Sequence, residues 1–103
     1  MYILHIEHPV PNFEGWKKAF DSDPVGREKS GVRRYRILRP IGDPNYAIID
    51  LEFDTLSQAE ALLAALRVLW SRVEGQVMTN PQARIVEMVE TGGTEISGHV
   101  SGV

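Results

Sequence analysis

Apolar and polar side chains recur along this chain with periods that change in a fixed order. Residues 2–8 alternate strictly, with Leu4 and Ile6 on one face. His5 and Glu7 lie on the other face, and this pattern is typical of a half-buried strand. Prolines follow directly and predict the end of the segment. The first element is therefore expected to be a strand whose two faces differ in polarity.

A helical period replaces this alternation after the prolines. Asn12 is a favourable N-cap residue. Three aromatic side chains follow it at helical spacing, namely Phe13, Trp16 and Phe20. The helix is expected to end before Pro24, because a residue that precedes proline avoids the helical region. The charged segment that follows, residues 25–31, is expected to be a loop or an extra turn.

The middle of the chain predicts two strands joined by a turn. Residues 32–39 alternate, and residues 46–53 alternate more regularly. Gly42, Asp43 and Pro44 lie between these segments and are residues that favour turns. The two strands are therefore expected to be a hairpin or near neighbours in one sheet.

The last third of the chain predicts a second helix and a final strand. Asp54 and Thr55 supply capping groups ahead of the helix. Its apolar stripe is formed by Leu56, Ala59, Leu63, Leu66, Trp70 and Val73. Gly75 is expected to cap its end. Residues 83–90 form the final strand, and the alternation leaves open which of its faces points inward.

The order strand, helix, strand, strand, helix, strand predicts an α+β protein. Residues 1–91 are expected to form one domain, because 103 residues with 43% hydrophobic content are a usual size for one core. Residues 92–103 contain four glycines and are expected to be a tail. Fixing such a tail costs backbone entropy, so an ordered tail would need a docking surface such as a partner subunit.

Charge and composition exclude several classes of partner. The net charge is −3, and a protein that tracks a nucleic-acid backbone needs a concentrated excess of Lys and Arg. Arginines cluster within residues 33–39, but on a strand they alternate between two faces. No apolar run approaches the ~20 residues of a membrane span, and the chain has no cysteine. We expect a cytoplasmic protein without nucleic-acid or membrane partners.

One face of the predicted sheet is unusually polar. If the apolar face packs on the helices, the opposite face presents His5, Glu7, Arg34, Arg36, Asp50 and Glu52. His5 titrates near neutrality, which makes it the best candidate for a general acid or base. The alternative is a salt-bridged face without a catalytic role. His5 and Glu7 supply only two metal ligands, so no metal site is expected.

Three segments carry a resemblance to a known superfamily. The N-terminal YILHIEHP strand, the entry to the second helix at Asp54 and Thr55, and the closing ARIVEMVET strand resemble the dimeric α/β-barrel superfamily. Its members include antibiotic-biosynthesis monooxygenases, stress-responsive A/B-barrel proteins, polyketide cyclases and haem-degrading oxygenases. The resemblance covers residues 2–90. It implies a ferredoxin-like βαββαβ fold with a four-stranded antiparallel sheet and two helices on one face, and two such chains pair into a barrel.

The resemblance also implies a function. It suggests a homodimer that binds a small organic ligand, acting as a cofactor-independent monooxygenase or a cyclase-like enzyme on an aromatic or polyketide-like compound. The alternative is a non-catalytic ligand-binding or structural dimer with a charge-paired barrel interior. The second helix contains no His, so the axial ligand of the haem-degrading members is missing. No phosphate-binding glycine loop is present either, and we expect no cofactor.

Roles for the polar residues follow from the enzyme hypothesis. His5 resembles the first-strand His of cyclase-like members and would exchange a proton with the substrate. Arg34 or Arg36 would stabilise an oxyanion, and Asp50 would orient His5 or the substrate. The expected ligand contacts on the same face are Glu7, Ile48 and Glu52.

Overall fold

The computed structural model describes residues 1–73 and 80–93, which form a βαββαβ unit. The elements are β1 (Tyr2–Pro9), α1 (Phe13–Asp21), β2 (Arg34–Leu38), β3 (Tyr46–Phe53), α2 (Leu56–Val73) and β4 (Gln82–Glu87). The strands form an antiparallel sheet in the order β2-β3-β1-β4. This is the ferredoxin-like α+β architecture that the resemblance predicts.

The hydrophobic core lies between the two helices and one face of the sheet. Alternate residues of β1 and β3 point toward the helices, and the buried apolar ones among them are Leu4, Ile6, Ala47, Ile49, Leu51 and Phe53. Helix α2 contributes Leu62 and Trp70 to the same cluster, and helix α1 contributes Trp16. The strict alternation of the two central strands therefore decides which sheet face is apolar.

Side-chain caps fix where both helices begin. The Asn12 side chain accepts a hydrogen bond from the Gly15 amide at 2.8 Å and caps α1. At the start of α2, Thr55 Oγ1 accepts from the Gln58 amide, and Gln58 Oε1 accepts from the Thr55 amide, both at 3.2 Å. This reciprocal pair is a capping box, and it places the helix start where the sequence predicts it.

The edge strands are shorter than the alternation predicts. Strand β2 begins at Arg34 rather than residue 32, because the Val32 amide donates to the Arg27 carbonyl of the preceding turn. Strand β4 ends at Glu87 rather than residue 90, because its partner Tyr2 is the first residue of β1 and only the hydrogen bond from the Met88 amide to the Met1 carbonyl follows. Hydrogen bonding to the neighbouring segment, rather than side-chain pattern, therefore limits both strands.

The structure also settles or corrects predicted facings. In β4, Ala83 and Ile85 pack against the core. Leu56, predicted on the buried stripe of α2, is 43% exposed in the first turn of that helix. Tyr35 is 46% exposed because it lies on an edge strand, although its ring contacts Phe20. The predicted cap at Gly75 and residues 94–103 of the predicted tail lie outside the described residues.

Candidate functional site

The sheet face that points away from the helices, here called the open face, carries the predicted site residues. The register arranges it in three rows across β2, β3, β1 and β4: Arg34, Glu52, Ile3, Val86; then Arg36, Asp50, His5, Arg84; then Leu38, Ile48, Glu7, Gln82. The central row places His5 directly between Asp50 and Arg84. Strand pairing thus brings together residues that are more than forty positions apart in sequence.

His5 is held between two carboxylates. Its Nδ1 lies 2.6 Å from Asp50 Oδ1, and its Nε2 lies 2.8 Å from Glu7 Oε2. A neutral imidazole can donate from only one ring nitrogen, so both contacts are hydrogen bonds only when the ring is an imidazolium. The hydrogen bond with Glu7 and then that with Asp50 raise the pKa of His5 above 6.5, although burial acts in the opposite direction. This geometry favours a proton donor rather than a base.

Tyr46 extends the hydrogen-bonded chain, and the candidate residues chosen from the sequence do not include it. Its hydroxyl donates to Glu7 Oε1 at 2.7 Å. The hydrogen bond from His5 lowers the pKa of Glu7, and the Tyr46 hydroxyl and the charge of Arg84 act in the same direction. The signal for Tyr46 was available, because it lies on the same face of β3 as Asp50. Arg84 could not be placed because the facing of the last strand was ambiguous.

The predicted arginines are paired with carboxylates. Arg36 donates to Asp50 Oδ2 at 3.0 Å, and Arg34 Nε lies 3.7 Å from Glu52 Oε1. Both arginine side chains remain largely exposed. Ile48 lies in the neighbouring row opposite Glu7. The structure therefore joins five groups in one chain, from Tyr46 through Glu7, His5 and Asp50 to Arg36, whereas the Arg34 pair stands apart.

A groove of about 560 Å³ runs along the open face beside this chain. His5, Glu7, Tyr46 and Arg84 line it. Within residues 1–73 and 80–93, no group of three or more His, Cys, Asp or Glu side chains could hold a metal ion. The charged side chains of the open-face groove are neutralised mainly by one another.

A second cavity lies on the other side of the sheet, between the sheet and the two helices. This inner cavity has a volume of about 260 Å³ and a mainly apolar lining. Both tryptophans of the chain, Trp16 and Trp70, line it, together with Leu62 and Leu66. Their helical spacing predicts packing in the core, and they do pack there. A spacing pattern contains no signal for a gap between packed elements, so the sequence could not reveal the cavity.

His8 is the buried polar side chain of the inner cavity. It is 1% exposed, and its ring meets that of Trp16 edge to face at 5.9 Å. Its Nδ1 donates to the Pro9 carbonyl at 3.1 Å. Burial lowers the pKa of His8 below 6.5, since the charged form loses its hydration. His8 is therefore neutral near neutral pH.

Arg27 lies at the rim of the inner cavity. Its guanidinium stacks over the Phe20 ring at 3.9 Å and donates to the Phe20 carbonyl at 2.7 Å. Asp23 lies 3.4 Å from the same guanidinium and balances its charge. The turn that contains both residues thus packs against α1 and closes one side of the cavity.

Comparison with known proteins identifies the fold. No family model and no curated protein matches this sequence. Among solved structures, a "putative antibiotic biosynthesis monooxygenase" from Nitrosomonas europaea matches with a TM-score of 0.67 and 18% identity, over 89% of this chain and 93% of that one. The heme-degrader MhuD from Mycobacterium tuberculosis, with two hemes bound in its active site, matches with a TM-score of 0.63 and 18% identity, over 88% and 99%.

A dimeric ferredoxin-like protein from an uncultured marine organism matches with a TM-score of 0.62 and 11% identity, over 88% of this chain and 97% of that one. In the part of the chain that the structure describes, neither helix is long and apolar enough to cross a membrane. Similarity at this level of identity establishes the fold and leaves function to the chemistry of the site. The chain has the ferredoxin-like βαββαβ fold of these solved structures.

Proposed function

We propose that this chain forms a homodimer that binds a small, mainly apolar organic molecule in the inner cavity. The observation that carries the proposal is the cavity of about 260 Å³ between the sheet and the two helices, whose lining is mainly apolar. An apolar cavity of ~150 Å³ accommodates benzene, so this one has room for a substituted aromatic ring. Concave apolar sites with a few polar groups are the usual binding sites for small molecules.

The two tryptophans give the cavity flat walls. Trp16 and Trp70 are 4% and 7% exposed, and both contribute to the lining. Aromatic walls favour a planar ligand, because offset stacking and edge contacts add to the free energy of apolar burial. The described part of the cavity therefore fits an aromatic compound better than a flexible polar metabolite.

Haem, which the MhuD structure contains, does not fit the described residues. Helix α2 has no His, and both ring nitrogens of His5 contact carboxylates on the opposite face of the sheet. The inner cavity is also smaller than the ~300–1,000 Å³ typical of pockets for drug-sized ligands, and haem exceeds that ligand size. No step of the proposal uses haem.

The open face supports the proposal of a homodimer. Apolar side chains lie among its charges, and Leu38 and Val86 are 43% and 38% exposed. A sheet with helices on one side leaves its other face open, and a second copy can cover it. The similarity to a dimeric ferredoxin-like protein agrees with this arrangement. In such a dimer the His5 chain would lie in a charge-paired barrel interior.

A second candidate function is acid–base catalysis on the open face, of the cofactor-independent oxygenase or cyclase type. The observation in its favour is that Asp50 and Glu7 favour the protonated form of His5 beside the open-face groove. One of the two carboxylates would have to release its ring nitrogen before His5 could donate to a substrate. Asp50 would orient His5, as the enzyme hypothesis requires. Arg36 would have to exchange its Asp50 partner for a developing oxyanion, which reduces the stabilisation it could supply.

Fluorine NMR with 1-ethyl-4-fluorobenzene tests the proposed binding site. We expect saturable broadening of the fluorine signal with the wild-type protein and none with Leu66→Trp, which fills the cavity. Val68→Trp is the matched control, because Val68 lies on the same helix and is 56% exposed. Equal binding by both variants, or a wild type that binds neither this probe nor its phenolic analogue 4-ethylphenol, would refute the inner cavity as the ligand site.

A further inference from the structure

His8 gives the inner cavity a hydrogen-bond acceptor. Its Nδ1 must carry the proton, because the Pro9 carbonyl to which it is bonded can only accept. In the neutral ring the lone pair then lies on Nε2. No hydrogen bond among the described residues uses Nε2. None of their fully buried side-chain nitrogens or oxygens lacks a partner, so Nε2 is not fully buried. His8 is 1% exposed and is one of the side chains that line the cavity, so Nε2 is the group through which it can accept a hydrogen bond there.

The other polar side chains of the lining cannot replace this acceptor. The indole N–H groups of Trp16 and Trp70 only donate, and so does the Arg27 guanidinium. Ser22 Oγ, which donates to the Ala19 carbonyl at 2.6 Å, can still accept a hydrogen bond, but Ser22 is exposed to solvent at the end of α1 and supplies no buried acceptor. Among the side chains that line the cavity, His8 is therefore the buried partner for a ligand group that donates a hydrogen bond.

We propose that His8 makes the inner cavity selective for neutral aromatic molecules that carry one hydrogen-bond donor, such as a phenolic hydroxyl. The inference rests on the proposed binding function and adds the ligand class. A ligand without a donor leaves Nε2 unpaired in an apolar site, which costs free energy. A carboxylate cannot donate to Nε2 and would lose its hydration on entry. The ligand is thus defined by both size and polarity.

Two probes that differ in one group test this selectivity. 4-Ethylphenol donates a hydrogen bond, whereas 1-ethyl-4-fluorobenzene has nearly the same shape and no donor. Both tryptophans line the cavity, so their fluorescence, excited beyond the phenol absorption, reports occupancy by either probe. We expect the wild type to bind the phenol about threefold to tenfold more tightly, as one neutral hydrogen bond implies.

Variants at position 8 assign the preference to one side chain. His8→Phe keeps a ring but removes the acceptor, and we expect it to bind both probes with equal affinity. His8→Gln restores an acceptor and should recover part of the preference. Long-range proton–nitrogen NMR spectra of the wild type need no variant, and we expect them to show a protonated Nδ1 and an Nε2 signal that shifts only with the phenol.

The outcomes separate the inference from the function beneath it. If the fluorinated probe binds and the phenol binds no better, or if His8→Phe keeps the preference, the selectivity assigned to His8 is wrong and the cavity remains a binding site. An NMR spectrum with the proton on Nε2 also overturns the inference. If neither probe binds the wild type, the proposed function itself fails.

Discussion

His5 and Asp50 lie opposite each other on β1 and β3, and His5 Nδ1 is 2.6 Å from Asp50 Oδ1. Because Asp50 also accepts from Arg36 on β2, one carboxylate ties three neighbouring strands together on the open face. Glu7 holds the other ring nitrogen, so His5 contributes to stability mainly in its charged form.

This arrangement predicts a loss of stability as the pH rises. The folded pKa of His5 lies above its ordinary value of 6.5. The stabilisation from its charge is complete below pH 6.5 and is lost as the pH rises through the folded pKa. We expect urea unfolding at fixed protein concentration to show that the free energy of unfolding falls as the pH rises above 6.5. His5→Gln should abolish this pH dependence and should lower the free energy of unfolding by about 1 to 2 kcal/mol at pH 6.5.

His8→Gln is the matched control for this slope. Burial lowers the pKa of His8, so His8 decreases stability only as the pH falls below 6.5 toward its folded pKa. The slope above pH 6.5 should therefore persist in His8→Gln, while the slope below it should diminish. If His5→Gln kept the upper slope, the charged state assigned to His5 would be wrong.

Leu4→Ala should destabilise the fold by about 2 to 5 kcal/mol, as for other buried aliphatic side chains. Leu4 is fully buried in the core and does not line the inner cavity, so its removal creates a new void. Val68→Ala is the exposed control and should change the free energy of unfolding by less than about 0.5 kcal/mol. If Leu4→Ala left thermal unfolding unchanged, the facing assigned to β1 would be wrong.

The central part of the fold could be predicted from the sequence because its signals are local. The alternation of β1 and β3 specifies their facing, and the capping residues at Asn12 and Thr55 specify the helix starts. The polar candidates His5, Glu7 and Asp50 follow from the same alternation. What periodicity cannot contain is the register between strands, which brings Arg84 opposite His5.

The inner cavity could not be predicted from the sequence, for a different reason. A sequence pattern records which faces are apolar, but a cavity depends on how far apart the packed elements lie. His8 illustrates the difference, since its place on the buried face of β1 was predictable whereas its contact with the inner cavity was not. The alternation of side chains indicates a site on the open face, whereas the three-dimensional packing indicates a ligand site on the helix side of the sheet.

If the proposed dimer forms through the open face, a charge introduced there should weaken the association of the two chains. Val86→Glu adds a charge where a second sheet should pack, so we expect sedimentation velocity to show a shift from dimer to monomer. The wild-type dimer should bury more than ~1,200 Å² in total, the lower end of a specific interface. Val68→Glu on the exposed face of α2 should leave the dimer intact. A wild-type monomer at micromolar concentration would contradict the assembly.

A crystal structure with 4-bromophenol tests the central claim most directly, because the anomalous signal of bromine locates the ligand without ambiguity. The account predicts a bromine site in the inner cavity, in contact with Trp16 or Trp70, and a phenolic oxygen within hydrogen-bond distance of His8 Nε2. Bromine found only in the open-face groove beside His5, with the inner cavity empty, would contradict it.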